Sequence, residues 1–225
     1  MSCHWEINQS VHGWPHLKNV PPIPPLVRRR LTSLGQMAFR GFYNIKECAP
    51  EQELPWVISC RHGDYQRTRS LLTQLSTQEH ISPTDFSLSV HNGIAGQFAI
   101  ATGNKQPQTV VSAGTKSFEL GLLEAFCLQQ ALGKPIGYIY YDQALPSPYA
   151  AELTVDKICI AVLLTGTPPQ NNESAVHITY RPTPNLAPKS NVESGLDFIH
   201  FMDSQTSTFK VSLPFGTFSM ERLYG

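Results

Sequence analysis

The chain has 225 residues, with 17 Lys plus Arg set against 17 Asp plus Glu and only 15% charged residues. Zero net charge leaves no global field to gather nucleic acid or an anionic membrane, and a 41% hydrophobic content excludes a disordered chain. No apolar run approaches the roughly 20 residues that span a bilayer. The opening MSCHWEINQ lacks the basic start and apolar run of a secretory signal.

The charged fraction falls below the usual value of about 25%, which points to a surface partly covered by a partner. Cys3, Cys48, Cys60, Cys127 and Cys159 are scattered and form no CxxC pair. They are read as reduced thiols of a cytoplasmic protein. The eight histidines sit singly, without metal-ligand spacing, so no metal site is expected.

In chain order, a short strand is expected around Trp5 to Val11, followed by PPIPPL (21 to 26) as a stiff connector. Arg28-Arg29-Arg30 reads as a solvated helix start. Leu31, Leu34, Met37, Ala38, Phe42 and Ile45 follow helical spacing. LPWVISC (54 to 60) reads as a buried strand, and a helix from about Asp64 to Gln78 follows with Asp64 as its N-cap. Phe86, Leu88 and Val90 alternate as a strand would. HNGIAGQFAIATG (91 to 103) predicts a short helix ending at Gly103.

A strand over 109 to 112, a helix over 116 to 132 and a strand over 136 to 142 come next. This alternation predicts a largely parallel sheet covered by helices. KICIAVLLTGT (157 to 167) and AVHITYR (175 to 181) read as antiparallel strands added at one side of that sheet. TPPQNNES (167 to 174) is their expected turn, and RPTPNLAPKSN (181 to 191) an exposed loop. TFKVSLPF (208 to 215) is the last strand expected, after an apolar run from Leu196 to Met202. No repeat or second core signature is visible, so one domain is read over residues 1–225, with a core of about 25–165 and a strand and loop extension over 166–225.

The stretch TVVSAGTKSFELGLLEAF (109 to 126) carries the most chemistry. A β-branched run ends in small residues and an amphipathic pattern begins, which is how a strand turning sharply into a helix is written. Enzymes place nucleophiles at such elbows, where the helix N-terminus stabilises negative charge. Here the tip is Gly114, which has no side chain. A serine-hydrolase elbow needs Gly-x-Ser-x-Gly, and Ser112 has the wrong flanks for it. GIAGQ (93 to 97) lacks the third glycine of a dinucleotide fingerprint. Arg61-His62-Gly63-Asp64 reads as a strand-to-helix turn with an Asp cap, or else as an acid/base pair. His91 reads as a structural histidine or as a residue at a partner interface.

RRRLTSLGQMA (28 to 38), WVISCRHGD (56 to 64), FSLSVHNGIAGQFAIATG (86 to 103), TVVSAGTKSFELGLLEA (109 to 125) and IGYIYYDQALP (136 to 146) occur in an order and spacing that resembles the N-terminal half of the β-ketoacyl synthases. These are the condensing enzymes of the thiolase fold. The chain is more narrowly similar to the small β-ketoacyl synthase-like N-terminal domain proteins, which include the chain length factors of aryl polyene biosynthesis. The resemblance implies an α/β half-thiolase fold: a mixed, mostly parallel sheet with helices packed on it and antiparallel C-terminal strands.

In a working condensing enzyme the position matching Gly114 carries the acyl-accepting cysteine, and two histidines come from a second half. Cys127 lies inside the following helix, where a small buried hydrophobe is expected. His177 and His200 sit in contexts that read as strand interiors, so the resemblance implies no catalytic residue, cofactor or metal.

The resemblance further implies a heterodimer with an active ketosynthase, and contact with an acyl carrier protein through that complex. It places Thr68, Leu71, Leu72, Leu75 and Phe86 at a tunnel end. Dimer contacts are expected at His91, Asn92, Thr109, Val110, Val111, Ser112, Thr115 and Phe118. Two other readings stay open: an independent acyltransferase or ketoacyl synthase of unusual mechanism, and a stand-alone acyl-binding module.

Overall fold

The computed structural model describes residues 2–7, 10–14, 21–49, 53–77, 80–146, 149, 155–166, 176–183, 194–204, 206–213 and 215–222. At its centre, four consecutive buried residues, Trp56–Ser59, form strand β3. The edge strand Gln108–Val111 (β4 here) runs parallel on one side, with Ser59 opposite Val111, and the strand Ile136–Gln143 (β5) runs parallel on the other. Strand Lys157–Leu164 (β6) pairs antiparallel with β5. The hairpin of Ser2–Ile7 (β1) and Ser10–Trp14 (β2) adds beyond it, giving the order β2-β1-β6-β5-β3-β4. The sheet is mixed, with its parallel part confined to β5-β3-β4; the remaining pairings are antiparallel.

Both faces of this sheet are covered, which is why β5 is buried at every position. On one face, helices Ser33–Cys48 (α2, after the single turn α1 at Pro25–Arg28) and Gly93–Thr102 (α5) press Phe39, Phe42 and Phe98 onto Trp56, Ile58, Ile139 and Tyr141. Phe42 and Phe98 stack with centroids 4.6 Å apart. On the other face, helices Ser117–Leu132 (α6) and Ser194–Asp203 (α7) bring Phe118, Leu122 and Phe198 onto Val57, Tyr138, Tyr140 and Ile160. Helices Tyr65–Thr77 (α3) and Pro83–Ser89 (α4) follow β3 in the chain and pack against each other, α4 also touching α5.

Helix α6 is apolar on a second flank as well. Leu120, Leu123 and Phe126 pack against Val211, Leu213 and Phe218 of a separate antiparallel sheet. That sheet has the order β7-β9-β8, with β7 at Val176–Pro182, β8 at Thr208–Leu213 and β9 at Gly216–Arg222. A helix that is apolar most of the way round is a helix buried between layers. The strand at 176–182 therefore belongs to this second sheet rather than to the side of the first.

Three further expectations are corrected. Residues 83–89 are helical, not extended: Ser82 Oγ accepts from the Asp85 amide at 3.2 Å, Pro83 opens the first turn, and only Leu88 is buried. The 196–202 run is α7, so His200 is an exposed helical residue and not a strand interior. PPIPPL is a connector only to Pro24, because Pro25 starts α1. The predicted turn over 167–174 and most of the 181–191 loop lie outside the described residues. Arg222 closes α7 by donating to the carbonyls of Phe201, Met202 and Ser204 at 2.6, 3.0 and 2.8 Å.

Gly137 of β5 lies directly against the buried Trp56 ring, and a Cβ there would overlap ring carbons. Gly137→Ala should lower unfolding free energy in urea by about 3 kcal/mol. Gly96→Ala, in open space on α5, should leave it unchanged or slightly raised.

Candidate functional site

Because β3 and β4 are parallel and in register, their chains leave the sheet side by side. The Cys60 amide donates to the Val111 carbonyl at 3.3 Å, and Ser112 Oγ donates to the Arg61 carbonyl at 3.0 Å. The predicted elbow and the Arg61-His62-Gly63-Asp64 turn are thus joined. In open α/β sheets this carboxyl edge is where ligand sites form.

The elbow is a sharp turn. Gly114 has φ +58 and leads through a 3-10 turn, Gly114–Lys116, into α6. Ser117 Oγ donates to the Gly114 carbonyl at 2.8 Å and accepts from the Ala113 amide at 3.0 Å. The left-handed conformation favours glycine. Space is not what excludes a side chain, since no atom lies within 4 Å of where a Cβ would project.

Beneath the elbow, Glu119 is fully buried, and its Oε1 accepts from Lys116 Nζ at 3.0 Å and Ser194 Oγ at 2.6 Å. Lys116 and Ser194 also line a small polar cavity of about 120 Å³ with Asp197 and Lys210. The Lys116–Glu119 spacing is visible in the sequence as an i,i+3 pair. Nothing in the sequence announces Ser194.

Cys60 stands beside the elbow, which sequence spacing did not reveal. It is fully buried, and burial pushes its thiol up to about 12. At neutral pH it is a protonated, inert group. Arg61 pairs with buried Asp142 at 3.2 Å. Burial nonetheless holds the Asp142 carboxyl above the usual carboxylate range, against the pull of Arg61. Asp64 is the α3 cap, accepting from the Arg67 amide at 3.3 Å and from Thr32 Oγ1 at 2.9 Å. The Asp64 carboxylate thus acts as a helix cap, and the Arg61 guanidinium pairs with Asp142.

The tunnel-end candidates divide. Leu71 is buried and, with Thr32, Gln66, Arg67, Ser70 and Asp85, lines a cavity of about 200 Å³. Thr68 is half-buried, its hydroxyl donating to the Asp64 carbonyl at 3.3 Å. Leu72, Leu75 and Phe86 are 59%, 57% and 57% exposed.

Among the interface candidates, Thr109, Val110 and Val111 are half-buried on the sheet edge, and Asn92, Ser112 and Thr115 are exposed. Phe118 is withdrawn from that set by its burial against Tyr140 and Phe198 in this chain's own core. His91 is half-buried beside Gly63 and accepts from the Tyr141 hydroxyl through its carbonyl at 3.1 Å. Among the described residues no group of three His, Cys, Asp or Glu is gathered to hold a metal. No described helix is long and apolar enough to cross a membrane.

A helix-flanked β4-β3-β5 triplet with an elbow at its carboxyl edge is a thiolase-like arrangement of the ketosynthase type. Residues 3–218 match the family described as beta-ketoacyl synthase, N-terminal domain, and the chain belongs to that family. The match runs beyond residues 25–165 at both ends.

Among solved structures, the ketosynthase ApeO in complex with its chain length factor ApeC from Xenorhabdus doucetiae contains a similar chain. It is 25% identical at a TM-score of 0.70, over 96% of this chain and 89% of that one. The ishigamide ketosynthase/chain length factor is 18% identical at a TM-score of 0.48, over 75% of this chain and 54% of that one. The tetronic acid condensing enzyme AbyA1 is 14% identical at 0.40, over 81% and 54%. No curated protein matches the sequence significantly.

The state of the thiols gives a direct check. Cys127 is exposed on α6 rather than the buried hydrophobe expected, so in the native protein at neutral pH it should alkylate with iodoacetamide before the buried Cys60 and Cys159. Peptide mapping that found Cys60 modified first would overturn the account of an inert thiol beside the elbow.

Proposed function

We propose that the chain is a catalytically inactive ketosynthase-like subunit, a chain length factor. It pairs with an active β-ketoacyl synthase, shapes the acyl tunnel and limits the length of a polyene or fatty-acid-like product carried on an acyl carrier protein. The carrying observation is Gly114 at the tip of a retained elbow, where the condensing enzymes hold their nucleophile. Cys60, the thiol beside the elbow, is buried and neutral and offers no substitute.

Two features support pairing with a second chain. β4 ends the sheet with β-branched residues and, among the described residues, pairs with a strand on one side alone, which suits strand addition. Leu72, Leu75 and Phe86 expose apolar surface on α3 and α4, which is costly unless something covers it. The likeness to a chain of the ApeO–ApeC complex, over most of both lengths, supports the same reading. The domain is taken as one unit over residues 1–225.

Co-expression with a neighbouring ketosynthase should give a stable heterodimer on co-purification and native mass measurement. A monodisperse 25.0 kDa species without affinity for any ketosynthase would sink the reading. Leu75→Trp, at an exposed position, should shorten the products of the complex while condensation continues; unchanged length would remove Leu75 from the tunnel.

Gly114→Cys should fold, at a cost of about 1 kcal/mol for the left-handed conformation, and the isolated variant should remain without condensing turnover. Turnover of acyl thioesters by the unmodified chain would instead favour an independent enzyme.

A further inference from the structure

Helices α3 and α4 are held unlike the rest of the molecule. Each buries a single side chain among its described residues, Leu71 and Leu88, so the apolar core does little to fix them. Their placement rests on a polar joint. The N-caps of α2 and α3 are bonded to each other: Thr32 Oγ1 accepts from the Gly35 amide at 3.2 Å and donates to Asp64 Oδ2 at 2.9 Å.

Arg67 completes the joint. Its Nη1 meets Asp85 Oδ1 on α4 at 2.6 Å, its Nη2 donates to the Arg30 carbonyl ahead of α2 at 2.5 Å, and its Nε lies 3.6 Å from Asp64 Oδ2. The Arg67 side chain is 12% exposed, so solvent screens it little, whereas Asp85 is 43% exposed. A guanidinium is a rigid fork of donors; its two Nη groups hold acceptors on two other segments, while Nε, buried without a hydrogen bond, meets Asp64 through charge alone. The cavity of about 200 Å³ under Leu71 opens at this joint and leaves room for the helices to shift when it is broken.

We infer that Arg67 is a positioning residue. It sets where the α3–α4 pair sits and hence where Leu72, Leu75 and Phe86 stand. Resting on the chain length factor reading, it thereby tunes the product length of the complex without touching the growing chain. The energetic logic is that a hairpin poor in buried apolar area takes its geometry from the few strong directional contacts it has.

The test uses the full chain, alone and co-expressed with a ketosynthase that co-purifies with it. Arg67→Ala should speed amide exchange across residues 68–77 and 84–89 about tenfold, leave exchange in α2 and α6 unchanged, and broaden or shift the product lengths at undiminished heterodimer yield. Arg67→Lys keeps the charge but not the fork and should fall between. Asp85→Asn, an exposed and mild change, should confine the faster exchange to α4.

Unchanged exchange in α3 and α4 for both Arg67→Ala and Asp85→Asn overturns the positioning role. Faster exchange with identical product lengths from an intact heterodimer overturns the link to length control. If the wild-type chain pairs with no ketosynthase, the function reading falls. The exchange comparison on the isolated chain then still decides whether Arg67 positions the helices.

Discussion

The parallel pairing of β3 with β4 and β5 is the constraint on which the rest of the structure depends. Four buried residues, Trp56 to Ser59, satisfy their backbone groups on both sides within a sheet covered on both faces. Parallel register obliges the chain to leave β3 and β4 at the same edge, so the turn into α3 and the elbow into α6 must lie together. It also fixes how closely α6 can approach. Gly121 lies against Ser59 and Tyr138, and the Tyr138 hydroxyl donates to the Phe118 carbonyl at 2.6 Å while Ser59 Oγ bonds to it at 2.8 Å. Any side chain at 121 would push the helix, and the elbow with it, away from the sheet.

At that edge most polar groups are engaged with one another, while Glu119 Oε2 and His91 Nε2 are buried without a hydrogen-bond partner among the described residues. Glu119 holds Lys116 and Ser194, Arg61 holds Asp142, and Asp64 caps α3. A nucleophile or general base requires a group with an open lone pair near bound substrate and a tuned pKa. Burial moves the Cys60 thiol the wrong way for nucleophilic attack, because the charged form is the one it disfavours. What these networks supply is rigidity, since a buried polar group bonded to more than one segment resists displacement.

Much of the fold was legible in residue pattern. α2 announces itself through helical spacing and α6 through its length and Gly133 stop, while Gly103 and Gly133 take the left-handed conformations expected of helix ends. The 83–89 segment reads as a strand because Phe86, Leu88 and Val90 alternate, but Val90 lies just past a two-turn helix that the Ser82-Pro83 cap starts. The second sheet was hidden because strand patterns do not say which sheet they join. Its signal lay elsewhere, in the second apolar flank of α6 at Leu120, Leu123 and Phe126. At the site, Gly114 was readable as a missing side chain. The Cys60–Val111 and Glu119–Ser194 contacts join residues 51 and 75 positions apart, and no local pattern encodes them.

Burial is distributed unevenly, and the unevenness is informative. Helix α2 buries Phe39, Phe42 and most of its inner face, while α3 and α4 bury one side chain each and leave leucines and a phenylalanine in water. β5 is buried throughout, but β4 is only half-covered along its whole length and hydrogen-bonded on one side. Natural sheets blunt such edges with charge, proline or short strands; β4 reads Gln-Thr-Val-Val without charge, but it is four residues long and Pro107 leads into it, its carbonyl accepting from the Trp56 amide at 3.0 Å. This weakly guarded edge and the exposed leucines of α3 are thus the surfaces that the core leaves open to contact, among the described residues.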